Sequence, residues 1–199
     1  MERLSGSAML ATPTPRLVLC RGPPASGKST AFRTLATDPP AGVVFVDHVA
    51  LKDAHRHLGG AARTEWGKRL LAALLSAYIS NTDLAAPRVL VVEEMSLGTL
   101  APLLPPHDRE LLAAWDVVEA RFHASAELCA ARWRDRMLAA GKPPRSDEEM
   151  AAKRAQYGWD DADGDGGGKF GARVVRVETD DLSREAVLAR LRSIVLEGG

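Results

Sequence analysis

The chain has 199 residues, 46% of them hydrophobic, and its 26 basic and 26 acidic side chains leave no formal net charge. This length suits one domain with a full hydrophobic core, and a neutral chain gives no overall electrostatic reason to expect a nucleic-acid or membrane partner. No apolar run approaches the roughly 20 residues that cross a bilayer. Cys20 and Cys129 are the only cysteines; we expect reduced packing residues in a cytoplasmic protein.

Residues 1–15 contain no long apolar core and predict a disordered leader, followed by one domain over residues 16–199. A short apolar run at 16–21 predicts a buried strand, and residues 29–36 predict a helix. Between them lies Gly22-Pro23-Pro24-Ala25-Ser26-Gly27-Lys28-Ser29-Thr30. This segment fits the P-loop pattern of Gly, four residues and Gly-Lys-Ser/Thr, in its expected place between a strand and a helix.

Each fixed residue of this pattern has a physical role beside a nucleotide triphosphate. Glycines allow a tight turn and a close approach of the backbone to phosphate, and the amides of the loop and first helical turn can bind phosphate oxygens. Lys28 can reach the β- and γ-phosphates, and the Ser29 hydroxyl can ligate Mg²⁺. The predicted nucleotide-binding residues in this segment are Gly22, Ala25, Ser26, Gly27, Lys28, Ser29 and Thr30.

Acidic residues end the next two predicted strands. Residues 42–47 form an apolar run that ends on Asp47, and residues 88–94 end on Glu93 and Glu94. Asp47 has three interpretations: a base that accepts the proton of a substrate hydroxyl, a Mg²⁺ ligand, or the N-cap of the following helix. Since side chains alternate along a strand, one glutamate faces the site, and we favour Glu93 as the metal ligand.

The rest of the chain continues the alternation of strands and helices. Helices are predicted at 49–58, 64–80, 108–115 and 182–196, and strands at 116–124 and 172–178. Ser125 is a candidate N-cap for a helix that runs to about residue 140, and residues 146–149 have the form of a capping box. Continuous apolar strands between helices predict a parallel sheet that is covered on both faces, in an α/β doubly wound fold.

Arginines follow the fourth predicted strand. Arg132 and Arg136 are four residues apart and share a helix face, where they could neutralise the charge that develops during phosphoryl transfer. Residues 141–144 could hinge a lid that carries Arg145 over the nucleotide. The alternative interpretation is an ordinary charged helix face.

Taken together, these motifs resemble the small P-loop kinases, the group that includes chloramphenicol phosphotransferase, gluconate and shikimate kinases, zeta-toxin-like sugar kinases and the kinase domain of phage polynucleotide kinase. The matching segments are GPPASGKST, VVFVDHVALK, CAARWRDRMLAAGKPP and VVRVETDD. The resemblance implies a P-loop NTPase sandwich in three layers, with a five-stranded parallel sheet and a mobile lid that bears arginine. It also implies ATP with Mg²⁺ as cofactors and an aspartate base after the second strand.

The sequence therefore predicts an ATP-dependent kinase that transfers the γ-phosphate to a hydroxyl of a small molecule. Lys28, Asp47, Arg132 and Arg136 are the predicted catalytic residues. Two alternatives stay open: a kinase that acts on the 5′-hydroxyl of a polynucleotide, and a P-loop ATPase or nucleotide switch that acts on a protein partner.

Overall fold

A computed structural model describes residues 14–80, 89–93, 100–143, 146–157 and 171–197. Most of the predicted leader, Glu94 and Arg145 lie outside these ranges. The described elements, in chain order, are β1 (Arg16–Arg21), α1 (Lys28–Thr37), β2 (Val43–Asp47), α2 (His48–Asp53), α3 (Gly60–Ser80), β3 (Val89–Glu93), a 3₁₀ turn (Ala101–Leu103), α4 (Pro106–Leu112), β4 (Asp116–His123), α5 (Ala126–Ala139), α6 (Asp147–Tyr157), β5 (Arg173–Glu178) and α7 (Arg184–Glu197).

The five strands form one sheet in the order β2-β3-β1-β4-β5, and every pairing is parallel. This confirms the predicted α/β class. The strand β1 lies at the centre, between β3 on one side and β4 on the other. Ligands of open parallel sheets bind beyond the carboxyl ends of the strands, where the connections turn to opposite sides. The segment 22–27 leaves β1 at that point.

Each face of the sheet has its own hydrophobic core. Leu17 and Leu19 of β1 pack with Leu71 and Leu75 of α3 on one face. The alternate residues Val18 and Cys20 pack with side chains of α1 and α7 on the other face. Both cysteines are buried and free, which confirms their prediction as packing residues.

The ends of several helices differ from the sequence-based boundaries. The helix predicted at 49–58 ends at Asp53, and residues 55–58 continue in tight turns in which the amides of His55, Arg56 and Leu58 donate to carbonyls three residues back. The helix predicted at 64–80 begins earlier, at Gly60. The capping box is confirmed, because Ser146 N–H donates to Glu149 Oε2 at 3.0 Å and Glu149 N–H donates to Ser146 Oγ at 3.2 Å.

A buried carboxylate ties α4 to α3. Asp108 is 3% exposed, and it accepts hydrogen bonds from the hydroxyls of Ser76 and, at 2.5 Å, Ser80. These two hydroxyls hold the pKa of the Asp108 carboxyl below its ordinary value of 3.8. Because the charged form is the one that is bound, the contact stabilises the fold only while Asp108 is ionised.

We expect Asp108→Asn to lower the free energy of unfolding at pH 7 by about 1–3 kcal/mol, since two partly buried hydrogen bonds lose their charged acceptor. The difference in the free energy of unfolding between the variant and the wild-type protein should be greatest above pH 3.8. It should disappear as the pH falls through the lowered pKa of the folded state. Urea unfolding at several pH values measures it. The exposed Asp38→Asn is the control, and a gap that does not change with pH would contradict this account.

Within the described ranges, no helix is both long enough and apolar enough to span a membrane.

Candidate active site

The loop after β1 has no room for a side chain at its first residue. A Cβ placed on Gly22 would lie 2.5 Å from the carbonyl oxygen of Phe122 and 2.9 Å from its Cβ. The backbone at Gly22 also has φ near +150°, a conformation that residues with side chains rarely adopt. Glycine is therefore required here by both backbone conformation and space, and the loop packs directly on the end of β4.

Two more residues of the loop have a left-handed backbone. Gly27 has φ +95° immediately before α1, and Ala25 has φ +68°, the one positive value for a non-glycine among the described residues. These turns bring the chain from the end of β1 to the start of a ten-residue helix. The N-terminus of that helix carries a partial positive charge and free amides, which favour an anion.

Two polar side chains at the end of the loop and the start of α1 are buried. Lys28 is 4% exposed and Ser26 is fully buried; within the described ranges, the hydroxyl of Ser26 has no hydrogen-bond partner. Burial and the charge of Glu93 raise the pKa of the Cys20 thiol far above its ordinary value, while the charge of Lys28 lowers it. A buried cation and a buried anion thus act on the same point of the sheet, directly below the loop.

The strand register aligns the predicted acidic residues. Cys20 at the end of β1 pairs with Glu93 of β3, and Glu93 pairs in turn with Asp47 of β2. Glu93 is fully buried. Asp47 and Glu93 therefore lie at the ends of two neighbouring strands, in one row with the end of β1, which leads into the loop. Neighbouring strands in this row are about 5 Å apart.

Both oxygens of the Asp47 carboxylate have protein contacts. Oδ1 accepts the amide of Ala50 at 3.0 Å, so Asp47 is the N-cap of α2. Oδ2 accepts from Arg33 Nε of α1 at 3.3 Å. Capping, one of the three interpretations of this residue, is thus observed, and its contact with Arg33 turns the carboxylate toward the layer that contains α1.

Arg132 joins the loop to the segment after β5. Its Nη1 donates to the Ala25 carbonyl at 3.4 Å, and its Nη2 donates to the Thr179 carbonyl at 3.2 Å. Arg136 lies one turn further along α5 and is exposed. The two arginines of this helix face therefore differ: one holds backbone carbonyls, and the other has its side chain in solvent.

A pocket of about 290 Å³ lies beside the loop. It is open to solvent, and Arg132 and Arg136 of α5 line it together with parts of the loop, α1 and α7. The lining residues are Ala25, Gly27, Thr30, Ala31, Arg132, Arg136, Thr179, Leu182, Arg184 and Val187.

The structure brings part of the predicted site together in the pocket. The residues Ala25, Gly27, Thr30, Arg132 and Arg136 share the pocket, whereas Asp47 and Glu93 end β2 and β3 and do not line it. Sequence reasoning missed Thr179, Leu182 and Arg184. The signal was present in the VVRVETDD segment, because polar residues directly after a parallel strand point to the edge where ligands bind.

No protein-family model matches the sequence, and no curated protein is similar enough to match it. Among solved structures, a proposed kinase from Chloroflexus aurantiacus is 19% identical over 91% of this chain and 98% of its own, with a TM-score of 0.57.

A chain of the Pnkp1/Rnl/Hen1 RNA repair complex is 19% identical over 76% of this chain, with a TM-score of 0.52; the match covers 46% of that chain. A gluconokinase from Sinorhizobium meliloti is 19% identical over 92% of this chain and 95% of its own, with a TM-score of 0.49. The likeness to the two structures with scores above 0.5 and the five-stranded parallel sheet of this chain agree with the predicted small P-loop kinase-like fold.

We expect the loss of stability caused by three glycine-to-alanine substitutions to depend on the space around each glycine and on its φ. Gly22→Ala should lower the free energy of unfolding by more than ~2 kcal/mol through overlap and backbone strain. Gly27→Ala should cost about 1–2 kcal/mol through strain alone, because no described atom lies within 4 Å of its Cβ position. Gly59→Ala, with open space and no positive φ, is the control at about 0.5 kcal/mol or less. Chemical denaturation gives all three; a Gly22 variant as stable as the Gly59 variant would refute the packing argument.

Proposed function

We propose that the protein is an ATP-dependent kinase that transfers the γ-phosphate to a hydroxyl of a small molecule. The observation that carries this proposal is that the glycine-containing loop at the start of α1 also forms a wall of the pocket. Four residues of that loop and helix line it: Ala25, Gly27, Thr30 and Ala31. A nucleotide needs this combination, with amides for its phosphates and a cavity for its nucleoside.

The phosphate end would be bound by the loop and by Lys28. The α1 N-terminus favours negative charge, and the ammonium of Lys28 would bind the β- and γ-phosphates as a compact cation. The buried hydroxyl of Ser26, which has no partner among the described residues, is a further donor for an oxygen of the ligand.

Magnesium fits the donors at this point, because Ser29 supplies a hydroxyl and Glu93 a buried carboxylate, and hard cations of this kind prefer oxygen ligands. We assign Ser29 and Glu93 as its ligands. When bound, the ion would neutralise charge on the phosphates.

The nucleoside end would occupy the pocket. Leu182 and Val187 give it an apolar side, and Arg132, Arg136 and Arg184 give it planar cations. Guanidinium groups stack on aromatic rings, so a purine base suits this lining. Arg136 is exposed, and its proposed role, with Arg132 and Arg145, which lies outside the described residues, is to neutralise the transferred group.

Asp47 is the proposed base. The acceptor hydroxyl oxygen would attack the γ-phosphorus, the bond from that phosphorus to the bridging oxygen would break, and ADP would leave. The hydroxyl proton would pass to the Asp47 carboxylate. Arg33 and the Ala50 amide hold this carboxylate in one orientation, as a positioned base requires.

A 5′-hydroxyl end of a polynucleotide is the second candidate acceptor. Residues 48–69, which form α2 and the start of α3, contain five basic and two acidic residues in a chain that is neutral overall. The exposed Trp66 ring there stacks parallel to the ring of His55 at 6.0 Å, and basic and aromatic groups together bind single strands. Similarity to a chain of an RNA repair complex points the same way.

The two acceptors give different results in one assay of ATP consumption. Small hydroxyl compounds and oligonucleotides with 5′-hydroxyl ends would be compared at two salt concentrations. Turnover only with oligonucleotides, falling steeply with salt, would replace the small-molecule proposal. Steady ATP hydrolysis without any acceptor would instead favour the ATPase or switch.

We expect Lys28→Ala to reduce ATP turnover about 100-fold or more, because the variant loses a positioned cation at the transferred phosphate. Consumption of ATP with the best acceptor measures this effect. Arg192→Ala, at an exposed position of α7, is the control and should retain wild-type turnover. Full activity of the Lys28 variant would remove the basis of the proposed mechanism.

We expect Asp47→Asn to reduce turnover about 10²- to 10⁴-fold through loss of the base, with Mg-ATP affinity nearly unchanged. Asparagine is as good an N-cap as aspartate, so α2 should keep its start. Turnover and Mg-ATP binding would be measured on the same preparation, with Asp53→Asn at the other end of α2 as the control. A large loss of Mg-ATP affinity would identify Asp47 as a metal ligand instead.

A further inference from the structure

Thr179, directly after β5, lies at a junction of several segments. It is 2% exposed, and its hydroxyl lies 2.9 Å from the carbonyl oxygen of Ser26 and 3.0 Å from that of His123. Its own amide donates to the His123 carbonyl at 2.9 Å. One side chain near the end of the chain therefore touches both the phosphate-binding loop and the end of β4.

Arg132 closes the same junction from α5. Its guanidinium lies 3.4 Å from the Thr179 hydroxyl and contacts the carbonyls of Thr179 and Ala25. Two consecutive carbonyls of the loop, those of Ala25 and Ser26, are thus held from the same side by Arg132 and Thr179.

Fixing the Ser26 carbonyl also fixes an amide. In a planar trans peptide the carbonyl of one residue and the N–H of the next point in opposite directions, and this chain has no cis peptide bond among its described residues. The Ser26 carbonyl points at Thr179, so the N–H of Gly27 points away from it. This amide is the last one before α1 and belongs to the set that binds phosphate at a helix N-terminus.

The geometry points to Thr179 as a positioning residue of the nucleotide site, which orients the Gly27 amide for a phosphate oxygen without touching the phosphate itself. The inference rests on the proposed function, since it takes ATP as the ligand. Loss of the hydroxyl would remove this contact with the Ser26 carbonyl and loosen the orientation of the Ser26–Gly27 peptide, so phosphate binding should weaken by about tenfold, the effect of one lost hydrogen bond in a buried site.

The experiment compares ATP with adenosine, which has the same nucleoside and no phosphate. Affinities for Mg-ATP and for adenosine would be measured by calorimetry for the wild-type protein, Thr179→Val, Thr179→Ser and Thr179→Ala, together with thermal unfolding. The valine variant keeps the shape and removes the hydroxyl, and the serine and alanine variants differ from each other by the hydroxyl alone. Thr37→Val at the exposed end of α1, where the hydroxyl donates to the Arg33 carbonyl, is the matched control.

We expect Thr179→Val and Thr179→Ala to bind Mg-ATP about tenfold more weakly and adenosine as tightly as the wild-type protein does. Thr179→Ser should stay within about threefold of wild type for both ligands, and Thr37→Val should not differ from it. If the valine variant does not fold, the serine and alanine pair provides the same comparison.

Equal losses of ATP and adenosine affinity would overturn the inference, because they would mean that Thr179 only shapes the pocket. Unchanged ATP affinity in both variants that lack the hydroxyl would overturn it as well, even where the unfolding temperature falls. A wild-type protein that binds neither ligand would refute the proposed function and the inference with it, which separates that failure from the other two.

Discussion

The contact between the loop after β1 and the end of β4 constrains the path of the chain on both sides of it. Gly22 lies against the Phe122 carbonyl at a distance that excludes a Cβ, so the chain must leave β1 across its neighbour β4. From there two left-handed residues bring it to α1, and the direction of that helix follows. The loop is thus supported by backbone on one side, and its opposite side is left for a ligand.

A second set of constraints comes from charge. Lys28 and Glu93 are both buried near the end of β1, and the charges of both act on the thiol of Cys20. Buried charges are costly unless opposite charges lie near. The parallel register then extends the row of side chains to Asp47, which α1 and α2 hold from two directions.

The sequence predicted the fold well because its signals are local and repeated. Apolar runs and glycines mark the strands and their ends, and the capping residues Ser125 and Ser146 mark helix starts within one residue. The end of α2 was predicted too late, since polar residues with good helix propensity continue to residue 58 while the backbone has already turned at residue 54.

The sequence predicted residues of the candidate site only where the residue types and their spacing are typical of one function. The P-loop residues were found because glycine, lysine and serine at this fixed spacing, between a strand and a helix, are typical of phosphate binding. Thr179 was not found, because a threonine after a strand is ordinary and its meaning lies in contacts with residues more than 50 positions away. Arg132 was found as a charge, whereas its contacts with carbonyls depend on tertiary structure that spacing does not contain.

The sheet separates the hydrophobic side chains of β1 into two cores, one with α3 and one with α1 and α7. The helix that follows the loop therefore rests on a different core from α3. In the proposed kinase, the choice of acceptor could change on the α3 side over evolutionary time without altering the core that supports the loop. Directed evolution of acceptor preference would accordingly begin on α3, where changes leave the support of the loop intact.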